Sequence, residues 1–239
     1  LGVEDIPVSE ELKSAGKGKK IALLLVLLAV IPGAIFLFKD SKSHYATLPY
    51  IGERQAIAPG DTAYFTVPPF HFIDEDGKPF TDKDVQGKIL VVDFFFTRCT
   101  SICPKMGVQM QQLQLQMDDP EYKDVLFLSH SVDPEHDTPA VLKAYATRLE
   151  ADPKRWKFLT GNAADIYRQG NLGYLLSAGA DSAAAEDFVH SPEFVLVDKQ
   201  RHIRGMYDGT NTEAMRSLLT DLKLLLHEDK EKSANRSAK

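Results

Sequence analysis

Apolar and polar positions divide this chain unevenly. Residues 21–38 form an almost unbroken apolar run, interrupted only at Pro32-Gly33 and flanked by Lys19, Lys20 and Lys39. As a helix rising about 1.5 Å per residue, the run reaches roughly 27 Å, enough to cross a bilayer core with the lysines snorkelling at its ends. Further along the pattern changes. Residues 63–72 alternate loosely, and Asp74-Glu75-Asp76-Gly77-Lys78-Pro79 reads as a solvated turn. Residues 88–96 are a nearly continuous β-branched and aromatic stretch, which predicts a strand covered on both faces. Pro104 suits the first position of a helix, with Cys103 at its cap, and Met106, Met110, Leu113 and Met117 recur on one face and predict core packing. A second buried strand is predicted over 125–132. Asp137-Thr138-Pro139 predicts a helix to about Leu149, capped by Thr138 or Asp137. A strand over 157–160, a short helix over 163–169 and a hairpin of 194–198 with 202–207 follow. Thr210-Asn211-Thr212-Glu213 has the form of a capping box before a helix over 215–226. Strands alternating with helices, closed by a hairpin and a helix, predict an α/β fold. The expected form is a thioredoxin-like sandwich with an N-terminal single transmembrane helix.

The expected organisation is a cytoplasmic segment over 1–20, an anchor over 21–38, a stalk over 39–59, one globular domain over 60–228 and a frayed tail over 229–239. Lys13, Lys17, Lys19 and Lys20 precede the apolar run, against Lys39, Asp40 and Lys42 after it. That bias predicts an N-terminus on the cytoplasmic side of a cell inner or plasma membrane and an exported domain. A cleaved signal peptide is the alternative, disfavoured by the long leading segment, Pro32-Gly33 and the lack of an A-x-A site. The net charge of −6 leaves no basic footprint for nucleic acid.

The chain has only two cysteines, Cys99 and Cys103, too close together to staple a fold usefully, so chemistry explains them better. A helix start, with Arg98 and Lys105 nearby, favours the thiolate at both. The thiolate is both nucleophile and metal ligand, which leaves soft-metal binding and thiol–disulfide exchange as rival readings. The three-residue spacer tilts towards a metal without excluding a reversible disulfide. Two thiolates suit copper(I), and an imidazole would complete a trigonal site. Among the seven histidines, His190 and His136 are the serious candidates for that donor. His130 is expected to be a hydrogen-bonded core residue; His44 and His227 are expected to be solvated, and His202 follows a hairpin turn. A peroxidase-like or redox-sensing role trails, because no proline-led peroxidatic motif precedes Cys99. Trp156 reads as a packing anchor.

Three blocks carry a resemblance. Asp93-Phe94-Phe95-Phe96-Thr97-x-Cys99-x-x-x-Cys103-Pro104-x-Met106 is similar to the corresponding text of the Sco/SenC copper proteins. So are Ser131-Val132-Asp133-Pro134-Glu135-x-Asp137-Thr138-Pro139 and Asp187-Phe188-Val189-His190-Ser191, the latter followed by the predicted hairpin with Gly205-Met206-Tyr207-Asp208-Gly209-Thr210. The resemblance implies a thioredoxin-like domain that binds one copper ion through Cys99, Cys103 and His190. It implies a metallochaperone that serves the copper site of cytochrome c oxidase subunit II, either by delivering copper or by reducing that subunit's cysteines. It names neither a copper donor nor a thiol reductant. Asp133 and Asp137 match acidic positions beside the site and, with Arg98, are expected to order its loops, although both acids also suit helix capping. Pro192 is read as a proline at a strand start, with a cis bond after Ser191 as the alternative. The implied role is that of a carrier rather than a turnover enzyme, with a membrane-tethered thiol–disulfide oxidoreductase as the second reading.

Overall fold

A computed structural model describes residues 47–58, 60–176, 178–180 and 188–237, with the backbone alone for 178–180, 188–190, 236 and 237. The expected anchor over 21–38, with the segment before it and most of the stalk, lies outside the described residues. Among the described residues no helix is long and apolar enough to cross a membrane. The chain first forms two antiparallel hairpins, β1 (Arg54–Ala58) with β2 (Asp61–Tyr64) and β3 (His71–Ile73) with β4 (Pro79–Thr81). It then runs through β5 (Ile89–Phe95), α1 (Cys103–Leu115), β6 (Val125–Ser131), α2 (Pro139–Arg148), β7 (Trp156–Leu159) and α3 (Ala163–Arg168). A short hairpin, β8 (Ala178–Ala180) with β9 (Phe188–His190), precedes β10 (Glu193–Val197), β11 (Ile203–Asp208) and α4 (Thr212–Ser237).

The main sheet is ordered β11-β10-β5-β6-β7, with β5, β6 and β7 parallel and β10 antiparallel to both of its neighbours. β5 is central, which is why every one of its residues is buried. Two successive crossovers in one direction across a sheet keep their right hand only by placing both helices on the same face. α1 and α2 accordingly meet: a Cβ at Gly107 would lie 3.1 Å from Leu149, so glycine lets the helices approach. The stripe Met106, Met110, Leu113 and Met117 is buried in that layer, as its spacing predicts. On this face Phe95 packs against Tyr145 and Phe158. On the other, Phe94 stacks on His130, with Phe70, Phe72 and Tyr174 around it. The alternation of one strand thus separates the two halves of the core.

Several expectations need correction. The Asp74-Glu75-Asp76 turn is not wholly solvated: Asp74 and Glu75 are buried, and Glu75 holds Lys157 Nζ at 2.8 Å and accepts from the Phe158 N–H at 3.0 Å. α4 begins earlier and extends much further than expected, and it covers most of the supposed tail. Asn211 Oδ1, not Thr210, accepts from the first-turn N–H groups of Glu213 and Ala214. The far end of α4 is held because Glu228 and Asp229 meet Arg204 and Lys199. Trp156 is a buried anchor, and its indole N–H donates to Ser129 at 2.8 Å. All described peptide bonds are trans, including that of Pro192.

Candidate metal centre

Cys99 and Cys103 sit where β5 gives way to α1. The Cys99 N–H closes a turn onto the Phe96 carbonyl at 3.2 Å, and Cys103 is already the first residue of the helix, with Pro104 second. Ile102, at the cap, offers no side-chain acceptor to the open N–H groups of the first turn. A sulfur takes that role, since the Cys103 N–H donates to Cys99 Sγ at 3.4 Å. The Ser101 hydroxyl lies 3.6 Å from the same sulfur. Both cysteines are buried and neither is in a disulfide.

The two thiols differ, which corrects the expectation of two equally acidic sulfurs. Burial works against ionisation of Cys99, but donation from the Cys103 thiol and N–H, and then from Ser101, outweighs it and lowers the pKa. For Cys103, deeper burial pushes the pKa far up, and donating to Cys99 pushes it further; the Phe96 backbone offsets only part of this. Cys99 is therefore the sulfur that ionises more readily, while Cys103 keeps its proton more firmly. Arg98 is directed elsewhere, donating through Nε at 3.0 Å and Nη2 at 2.6 Å to Asp133 Oδ2.

Asp133 and Asp137 order the cysteine turn rather than capping α2. Thr138 stands at the cap of that helix without a side-chain hydrogen bond. Asp137, fully buried, accepts from the Thr97 N–H at 3.0 Å, from the Thr97 hydroxyl and from the Ser131 hydroxyl at 2.5 Å. The loop after β6 thus grips the turn after β5 just before Cys99. Removing the carboxylate strands buried donors, so Asp137→Ala is expected to cost roughly 3 kcal/mol in urea denaturation. Loosening the turn also draws Cys99 away from its donors. The midpoint of its pH-dependent alkylation by iodoacetamide is expected to rise towards that of an ordinary thiol.

Sequence reasoning missed Asp93. Its carboxyl lies inside β5, fully buried, and accepts from the Ser129 hydroxyl at 2.5 Å. Burial raises its pKa from 3.8 to about 7, and its charge is one of the influences that hold the Cys103 proton in place. The signal was visible: a lone acid between Val92 and Phe94 in a strand covered on both faces needs an explanation. His130 is also buried, and among the described residues neither ring nitrogen meets a partner in good bonding geometry. Burial lowers its pKa from 6.5 to about 3, and the backbone at Asp93 and Leu128 offsets little of this.

These two groups pull stability in opposite directions. His130 stays neutral when folded, so its contribution is intact above pH 6.5 and is lost as pH falls towards 3. Asp93 stays protonated when folded, so its contribution is intact below pH 3.8 and is lost as pH rises through about 7. Asp93→Asn removes only the second effect. Beyond any offset at pH 4, the variant is expected to gain on the parent as pH rises, by on the order of 4 kcal/mol above pH 7. Urea denaturation of both proteins at pH 4, 6 and 8 measures the divergence.

The proposed third donor has a backbone address only. His190 is the last residue of β9, separated from β10 by Ser191 and Pro192, and its side chain lies outside the described residues. β10 runs antiparallel to β5, so the chain enters it at the end of the sheet where β5 leads into the cysteine turn. His136 is exposed in the turn before α2, in a groove with Thr97 and Arg98. His202 lies edge-on to Tyr50 and Tyr64 and beside Asp198, and His44 lies outside the described residues. Met206 is partly buried against the core, and the Tyr207 hydroxyl donates to Asp221 of α4 at 2.7 Å. Hairpin packing accounts for both.

A pair of free cysteines at a helix start, in a turn tied to Asp133 and Asp137, defines a thiol-bearing domain on a mixed α/β sheet. Residues 58–226 match the family model described as SCO1/SenC, and the chain belongs to that family. The SCO1 protein homolog of Bacillus subtilis (strain 168) is 30% identical over 163 residues, which span 68% of this chain and 84% of that protein. Among solved structures, BsSco aligns with a TM-score of 0.60 and 29% identity, over 68% of this chain and 94% of that one. It is described as a member of the Sco family of cytochrome c oxidase assembly proteins in which a disulfide switch was identified. Bradyrhizobium japonicum ScoI with copper bound aligns with a TM-score of 0.54 and 27% identity, over 64% of this chain and 98% of that one.

Proposed function

We propose that this protein is a membrane-anchored copper carrier for cytochrome c oxidase assembly. Cys99, Cys103 and His190 bind one copper ion on a thioredoxin-like domain, and the ion passes to the copper site of oxidase subunit II. Residues 21–38 form the anchor, with 1–20 on the cytoplasmic side and the domain exported. The observation that carries this reading is the asymmetric thiol pair at the start of α1, in a chain of the family to which the copper-bound ScoI belongs. The order β5-α1-β6 followed by β10-β11-α4 supports the thioredoxin-like assignment.

Two soft sulfurs four residues apart suit Cu(I), and an imidazole suits it as third donor. Cys99 offers the first thiolate. Cys103 must give up its proton on binding, so copper uptake near neutral pH releases protons. Handover is ligand exchange: a partner's thiols replace the protein's sulfurs one at a time, and Cys103 regains a proton as it leaves. A competition titration of Cu(I) onto the reduced full chain tests this. One ion per chain is expected, with His190→Ala weakening affinity at least roughly tenfold. Binding untouched by that substitution overturns the three-donor site.

The same asymmetry favours a second reading. A thiolate paired with a protonated thiol four residues away is also suited to reduce a disulfide, Cys99 attacking and Cys103 resolving. His190 is dispensable there, so the His190→Ala titration separates the two.

A further inference from the structure

Beside the cysteine turn runs a groove of about 400 Å³, separate from the sulfurs themselves. Ala140 and Ala144 of α2 lie along it, with Tyr145, and Arg98, His136 and Arg148 contribute its polar groups. No carboxylate is among the described residues that line it. Arg98 keeps 56% of its side chain exposed while Asp133, its acidic partner, is almost wholly buried. Arg148 lies over the Tyr145 ring at 4.7 Å and has no ion-pair partner among the described residues. The protein as a whole carries a net charge of −6, and along this groove Asp133 answers the charge of Arg98, so Arg148 is the side chain that adds positive charge there.

The groove adjoins the cysteine turn, because Thr97 and Arg98 line it and Tyr145 packs on Phe95 at the end of β5. Small side chains along α2 leave room for an extended backbone, and the charges at its sides select the sign of what lies there.

We propose that this groove docks an acidic, extended segment of the thiol-bearing protein that exchanges ligands with Cys99 and Cys103. The inference rests on the exchange role above and adds the chemistry of the partner: carboxylate-rich sequence flanking its cysteines. Docking on Arg98, His136 and Arg148 orients the partner's sulfurs towards the start of α1.

The test needs no copper, so its failure is distinct from failure of the carrier reading. Two dye-labelled dithiol peptides with the same cysteine spacing are used, one flanked by Asp and Glu and the other by Ser and Gln. Their binding to the reduced, metal-free full chain is followed by fluorescence anisotropy. At low ionic strength the acidic peptide is expected to bind about tenfold tighter, an advantage that shrinks as salt screens it. Arg148→Glu is expected to remove the preference, and Arg148→Lys to retain most of it. Equal binding of the two peptides overturns the proposal. So does a preference that survives Arg148→Glu, or one that high salt leaves unchanged.

Discussion

Replacing Cys103 with serine is expected to abolish tight Cu(I) binding while leaving the fold nearly intact. The loss should exceed roughly 100-fold, the upper end of what removing even an outer partner of a metal ligand costs. A serine hydroxyl is a hard donor that does not ionise near neutral pH, so the site keeps one soft sulfur where it needs two. The change is nearly isosteric. Cys103 sits at the start of α1 with the Phe96 backbone as a polar neighbour, so the new hydroxyl has a partner. Cys99→Ser should be as damaging to copper and slightly more so to stability, because Cys99 Sγ also caps the first turn of α1. Competition titration reads the affinity, and circular dichroism with urea denaturation reads the fold. Equal copper affinity in Cys103→Ser would mean that a single sulfur suffices.

Arg204→Ala is expected to cause the largest loss of stability, about 3–5 kcal/mol, by leaving buried carboxylates without their cation. Arg204 is 1% exposed. Its guanidinium donates to Asp198 at 3.1 Å, to Glu228 at 2.9 Å and to the carbonyls of Leu48 and Pro49 at 2.7 and 3.1 Å. Glu228 in turn accepts from the Leu48 N–H at 2.8 Å. One side chain therefore ties the start of the described chain, the closing hairpin and the far part of α4 together. Arg204→Lys keeps the charge but not the fork, and should fall between the parent and alanine. The check is the urea midpoint at an unchanged m-value. A midpoint unmoved by alanine would show that this network contributes no net stability.

Much of the scaffold was legible in the sequence because it depends on local pattern. The run around β5, the methionine stripe of α1 and the turn into α2 each declare themselves within about a dozen residues. The cysteine pair was equally plain. What escaped depends on partners far along the chain. Asp74 and Glu75 resemble a solvated turn until Lys157 is seen beside them. The second half of α4 resembles a charged tail until Arg204 and Lys199 receive Glu228 and Asp229. The inequality of the two thiols depends on depth and on which sulfur receives the hydrogen bonds, neither of which spacing encodes. Asp93 was different. Its oddity lay in the sequence, and only its neighbours Ser129 and Cys103 give it a meaning.

The most direct test of the central claim is X-ray absorption at the copper edge on the Cu(I)-loaded full chain, compared with His190→Ala. The account predicts two sulfur ligands and one nitrogen in the parent, and two sulfurs without that nitrogen in the variant. Copper bound without sulfur, or an identical spectrum from the two proteins, would contradict it.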